Sequence, residues 1–222
     1  MLGIGNSLVT GGVSADWTPL NISSLSHWYR YDTAITKDGD SDVTKWEDQK
    51  GSNDVTASGT NTNSPLYSSG AIVFNHSGDI LTFDVALELG KFSTYFRVES
   101  SDLSGDVLIE GNSSNFFKIE STTEMKTKIG GERFDWDMSD PGVDTKITLG
   151  MERAANGDTT CYLNGSALTL NHGDGNVAVS TTFDPTRMGQ PAVTAKFYEV
   201  LIFADSLSSS DRSDLHTYLG KI

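Results

Sequence analysis

The sequence predicts an all-β fold, two antiparallel sheets stacked as a sandwich with one short C-terminal helix, and three observations carry that prediction. Short β-prone runs alternate with clusters of Gly, Ser, Thr, Asn and Asp along almost the whole chain. Strands bounded by such turn chemistry at regular spacing are the signature of a sandwich or barrel. No helical periodicity is sustained before Ser208, which removes the α/β classes. Finally, residues 196–219 (KFYEVLIFADSLSSSDRSDLHTYL) open with a run that is apolar on both faces and close with a capped amphipathic pattern. A strand apolar on both faces belongs between other layers, and the helix after it closes the structure. At 222 residues one core is expected, because sandwiches of this length fold as single units.

Taken in order, residues 1–15 are small, glycine-rich and uncharged. Such a composition orders only when it docks. It reads as an N-terminal arm in which Leu2, Ile4, Leu8 and Val9 are the candidate docking residues, or as a frayed end; residues 16–222 form the single domain. Trp28, Tyr29 and Tyr31 are aromatics for the core or its rim. A polar turn runs from Lys37 to Asp42, Trp46 resumes the chain toward the core, and a strand follows Pro65 and ends at Asn75. Phe83, Val85, Leu87 and Leu89 are apolar at alternate positions, and FSTYFRV (92–98) sets Phe92, Thr94 and Phe96 on one side. Shorter candidates at 107–110, 116–120, 125–129 and 134–138 suggest a meander. Next comes KITLGMER (146–153), the turn Asn156-Gly157-Asp158, TTCYL (159–163), and Asn164-Gly165, a pair that favours a two-residue turn with positive φ at both positions. After a short return strand, NHGDGN (171–176) reads as a loop tip, and 177–182 leads to the closing strand. There strict alternation places Phe197, Glu199, Leu201 and Phe203 on one face and Tyr198, Val200 and Ile202 on the other. Ser208 with Asp211 starts the helix, Leu215, Tyr218 and Leu219 line its apolar side, and Gly220 ends it.

Composition excludes several functions. A net charge of −14 argues against a nucleic-acid partner, which requires a basic face. The start MLGIGNSLVTGG lacks a basic n-region and a long apolar run, so neither a signal peptide nor a membrane partner is expected. The single Cys161 reads as a small buried hydrophobe. His27, His76, His172 and His216 have no ligand spacing and read as ordinary surface or loop histidines. Asp38, Asp40 and Asp42 lie two apart like the first ligands of a calcium loop, the only cofactor the sequence raises. Val43 then stands where that loop needs Gly and Gln49 where it needs Glu, so a solvated turn is the better reading. Glycan hydrolysis needs paired carboxylates, and the nearest pattern is Asp135 and Asp137 on one face of a strand with Trp136 opposite. Because both carboxylates are Asp where Glu is required, the expectation is no catalysis. Sugar binding needs an exposed aromatic with nearby hydrogen-bonding groups; by composition the candidates are Trp136 with Asp135 and Asp137, and the loop bearing Asn171 and Asp174.

Three segments carry a resemblance to a known family: Trp46-Glu47-Asp48-Gln49-Lys50-Gly51, the stretch KITLGMERAANGDTTCYLNGSAL, and FYEVLIFADSLSSSDRSDLHTYL. Together they resemble the laminin G-like, concanavalin A-like jelly-roll domains, of the kind found in bacteriophage virion structural proteins. MLGIGNSL is also similar to the starts of small marine-phage structural proteins. The resemblance implies a jelly-roll sandwich and, for this short, acidic chain without a leader, a non-enzymatic capsid-decoration or tail-associated role. It is expected to be made in the host cytoplasm and located in the virion. Its partners are then other virion proteins and a host-surface glycan, with a homo-oligomer left open. A carbohydrate-binding or receptor-binding module is the alternative.

Overall fold

A computed structural model describes residues 17–57, 64–76, 78–103, 105, 107–175, 177–189 and 194–222. The proposed docking residues Leu2, Ile4, Leu8 and Val9 lie outside the described residues. The strands are β1 (Leu25–Arg30), β2 (Ile35–Lys37), β3 (Val43–Trp46), β4 (Val55–Ala57), β5 (Leu66–Ser68), β6 (Ala71–Phe74), β7 (Ile80–Phe83), β8 (Phe92–Ser100) and β9 (Val107–Asn112). They continue with β10 (Asn115–Ser121), β11 (Glu124–Ile129), β12 (Glu132–Asp137), β13 (Ile147–Arg153), β14 (Thr159–Leu163), β15 (Ser166–Ala167), β16 (Thr169–Gly173), β17 (Arg187–Gly189) and β18 (Ala195–Phe203). The helix α1 spans Ser209–Leu219.

Two sheets result, both antiparallel throughout. One runs β15-β14-β13-β8-β18-β6-β5, with β1 also on β18; the other runs β16-β12-β11-β10-β9-β17-β7-β4-β3-β2 and contains the β9-to-β12 meander. Between them lies the main core, with Trp46, Phe74, Phe96, Phe117, Met151, Cys161 and Phe197 fully buried. A second apolar cluster (Trp28, Tyr95, Leu201, Phe203, Leu215 and Leu219) fills the space between the first sheet and α1. The layers are therefore helix, sheet, sheet, a two-sheet jelly-roll-type sandwich with one added helix, as the sequence predicts. Local chemistry explains the joints. Asn164 (φ 48°) and Gly165 (φ 88°) adopt the left-handed conformations required to connect β14 to β15 in two residues. Ser208 accepts the Asp211 amide and Gly220 follows the last helical residue.

Strand β18 departs from strict alternation. Its pairing with β8 shifts between Phe197 and Glu199, where its other edge passes from β6 to β1. The extra residue of this bulge resets the side-chain period. Phe197 joins Val200 and Ile202 in the main core, whereas Tyr198 turns outward against Ala71 and Val73. The expected faces of Phe197 and Tyr198 are thus exchanged, while Leu201 and Phe203 keep theirs toward α1. Two further expectations change. Val85 is 67% exposed because the chain leaves the sheet after Phe83. Residues 171–173 belong to strand β16 rather than a loop tip, because β12 offers them a free edge.

Gly150, in the middle of β13, faces Tyr95 of β8. A Cβ placed there would lie 2.3 Å from the Tyr95 ring, and Tyr95 is held by its hydroxyl on Glu152 and by Phe203 and His216 around it. Gly150→Ala is expected to destabilise the fold by ~2 kcal/mol through overpacking, read as a lower urea midpoint; a change below ~0.5 kcal/mol would show that the ring moves aside freely.

Candidate functional site

The sugar-binding candidates that the sequence suggests come together at one edge of the sandwich. Strand β16 is the edge strand of its sheet and pairs with β12, so that Asp135 lies beside His172 and Asp137 beside Thr169. Asp135, Asp137, Asn171 and Asp174 thus occupy two neighbouring strands and the residue after them, although nothing in their sequence spacing announces the pairing.

Their orientations differ from the expectation. Trp136 is 3% exposed and belongs to the core with Phe134 and Met125; it offers no face to a pyranose ring, and the exposed-tryptophan platform is corrected. Only its alternation with Asp135 is as anticipated. Asp135 is itself buried on the outer face, where it accepts Arg133 Nε at 2.8 Å and forms an ion pair with the same guanidinium. Asp137 is exposed. Asp174 accepts the Arg133 amide at 2.9 Å and His172 Nε2 at 2.9 Å; the amide bond first, then the histidine, holds its carboxyl below the usual range. These polar groups form an interlocked outer face.

One of several concave features among the described residues lies around the same edge. Leu170, 47% exposed, presents an apolar surface backed by the edge of Phe134, which is itself buried in the core. Gly173 and Gly175 border it on one side, and Gly157, Asp158 and Thr159 of the β13–β14 hairpin on the other, enclosing about 290 Å³. That is near the lower end of small-molecule sites, ~300–1,000 Å³. The Thr159 hydroxyl is buried, with no hydrogen-bond partner among the described residues. Asp158 is exposed, its turn closed by Asn156. Asp158, Thr159 and Leu170 escape sequence reasoning: Asn156-Gly157-Asp158 signals a hairpin, but nothing local says which strand end its tip will face.

Beyond Gly175 a second hollow of about 330 Å³ is lined by Gly130, Glu132, Asp174, Val177, Ala178 and Thr181. Its wall is held from beneath by Arg153, which is fully buried at the end of β13. Arg153 Nη1 donates to the carbonyls of Thr181 (2.7 Å) and Gly90 (3.2 Å), and Nη2 to those of Val177 (2.7 Å) and Ala178 (2.6 Å). Residues 177–182, expected to lead into the closing strand, instead wrap this guanidinium.

The other candidates resolve into structure. Asp38 Oδ1 accepts the amides of Asp40 and Asp42, so its carboxylate closes its own turn. Among the described residues no three His, Cys, Asp or Glu side chains converge to hold a metal ion, and the Asp38, Asp40, Asp42 spacing does not form a ligand set. Asp48, in the Trp46-to-Gly51 motif, accepts the amides of Trp28 (2.9 Å) and Lys50 (3.0 Å) and faces His27 Nδ1 at 2.7 Å. Burial pushes its carboxyl up, and these hydrogen bonds outweigh burial and hold it low. The motif therefore ties a loop to β1. His216 is no surface histidine: it stands edge-on to Tyr95 with ring centroids 5.3 Å apart, and burial, then the charge of Arg212, lower it to about 4.

No protein-family model matches the chain, and no curated protein matches it. Solved structures are similar in fold. The Trypanosoma rangeli sialidase in complex with sialic acid superposes with a TM-score of 0.63 at 13% identity, over 90% of this chain and 33% of that one. The binding domain of botulinum neurotoxin DC in complex with rat synaptotagmin II gives 0.61 at 18% identity, over 89% and 52%. The same binding domain in complex with SialylT gives 0.60 at 18%, over 88% and 52%. This chain thus spans a third to about half of the lengths it matches. None of these structures bears on a virion role or on the laminin G resemblance; what they share with this chain is the architecture, a two-sheet antiparallel sandwich of jelly-roll type.

Proposed function

We propose that this chain is a non-catalytic carbohydrate-binding module that engages a glycan in the cleft between β16 and the β13–β14 hairpin. The observation that carries the reading is the half-exposed Leu170 against the buried edge of Phe134, ringed by Asp158, Thr159 and three glycines. A sugar presents an apolar face of C–H groups and an equatorial fringe of hydroxyls, which this surface and rim complement. Solved neighbours of the same architecture include structures with sialic acid and with SialylT, which supports a glycan over the virion-docking role that the sequence resemblance favours. Catalysis finds no support in the carboxylate pair, since Asp135 is taken up by Arg133.

Gly173→Leu tests the site. A Cβ at Gly173 would sit 3.3 Å from Leu170 and from Phe134, so the larger side chain fills the cleft by pressing on the flexible end of Leu170 and on the edge of the Phe134 ring. Glycan-array screening followed by calorimetry is expected to show binding by the wild type and at least a 10-fold loss in Gly173→Leu, with the variant still folded and unfolding cooperatively at the assay temperature. Binding unaffected by Gly173→Leu would move the glycan elsewhere.

A further inference from the structure

Resting on the glycan reading, we infer that the cleft selects an uncharged sugar and rejects a sialylated or otherwise anionic one. The charged side chains that line it and the adjoining hollow are all acidic. Asp158 stands on the rim, and Asp174 and Glu132 line the adjoining hollow across Gly175. Among the described residues, no Lys or Arg lines either feature. Arg133, next to Phe134 in sequence, lies on the opposite face of β12, where its guanidinium is bound to Asp135. The buried Arg153 is turned inward onto four carbonyls, leaving no donor fork for a ligand carboxylate. The whole chain carries −14, so the long-range field repels an anion before it arrives.

The size of the effect follows from Coulomb's law. A ligand carboxylate ~7 Å from one rim carboxylate is disfavoured about 3-fold at the dielectric of water and about 50-fold at that of a protein surface. A neutral hydroxyl group meets no such penalty. Selectivity of at least 10-fold for neutral glycans is therefore expected, and it should shrink as salt rises because the interaction is screened over ~8–10 Å at moderate ionic strength.

The experiment pairs matched oligosaccharides, for example lactose-terminated and sialyl-lactose-terminated glycans, against the full chain and against Asp158→Asn, in low and high salt. The expected result is tighter binding of the neutral member by at least 10-fold, with the ratio reduced in Asp158→Asn and in high salt. Equal or tighter binding of the sialylated member, lost in Gly173→Leu, would overturn the selectivity while leaving the glycan site standing. A neutral preference that Asp158→Asn and salt leave unchanged would also overturn it, since shape rather than charge would then discriminate. Absence of binding to either member, with no hit among other glycans, would overturn the glycan reading itself.

Discussion

Replacing Arg153 by Met is expected to lower the unfolding free energy by about 3–5 kcal/mol, a loss that few single substitutions in a folded domain reach. The guanidinium is fully buried, and its partners are carbonyl oxygens rather than a carboxylate. Each bond is charge-assisted, and burial lowers the Arg153 pKa, the mark of a cation held by dipoles alone. Methionine fills most of the volume but leaves the carbonyls of Gly90, Val177, Ala178 and Thr181 facing an apolar end group. Arg153→Lys retains the charge, yet an ammonium has three donors where four carbonyls converge, so it should recover only part of the loss. Urea unfolding measures both variants, and hydrogen exchange at 177–182 should rise in each before global unfolding begins. A loss below ~1 kcal/mol in Arg153→Met would mean that water satisfies the carbonyls and that the clamp is dispensable. Because 177–182 walls the hollow beside the glycan cleft, the same variants also report how rigid that rim must be.

The fold is legible in the sequence where its determinants are local. Asn164-Gly165 encodes its own turn, Ser208 with Asp211 its own helix start, and each alternating run its own buried side. What stays hidden depends on a partner distant in the chain. The bulge at Phe197–Glu199 exists because β18 passes from β6 to β1 along one edge, and no residue within β18 announces that exchange. Arg153 ends KITLGMER and looks like a charge at a strand tip; only the return of residues 177–181 over it makes it buried. Trp136 does lie opposite Asp135, but alternation alone does not say which face meets the other sheet. The candidate site is half legible for the same reason. Asp135, Asp137, Asn171 and Asp174 are brought onto one strand pair, because β16 pairs with β12, with Asp137 and Asp174 at its opposite ends. The concave surface instead belongs to Leu170, Asp158 and Thr159, which are unremarkable in sequence and become a cleft only when two hairpin ends meet.

Two groups at the interface between α1 and its sheet, the buried Glu199 and the partly buried His216, are expected to give opposite pH dependences that largely offset each other. Glu199 is fully buried, receives Trp28 Nε1 at 2.5 Å and Tyr218 OH at 2.8 Å, and its second oxygen has no partner among the described residues. Burial raises it from 4.5 to about 7, against the hydrogen bonds from Trp28 and Tyr218 and the nearby charge of Arg30. Its contribution to stability is therefore complete below pH ~4.5 and is lost as pH rises to about 7. His216, lowered from 6.5 to about 4, contributes fully above pH ~6.5 and loses that contribution as pH falls to about 4. At 1.36 kcal/mol per unit, Glu199 amounts to ~3 kcal/mol; His216, whose ring is partly open to solvent, is discounted to ~2 kcal/mol. The wild type should be nearly level between about pH 5 and 6.5, and removing one group should unmask the other. Relative to wild type, Glu199→Gln should gain ~3 kcal/mol between about pH 4.5 and 7.5, and His216→Gln should gain ~2 kcal/mol between about pH 7 and 4.5. Taking differences from the wild type at each pH removes the titration of other carboxylates, such as Asp48 and Glu99, whose lowered values act at more acid pH. Urea midpoints at half-unit steps test this directly. Parallel curves for wild type and Glu199→Gln would show that Glu199 titrates in the fold as it does in the unfolded chain, and that the bulge bearing it holds α1 by packing alone.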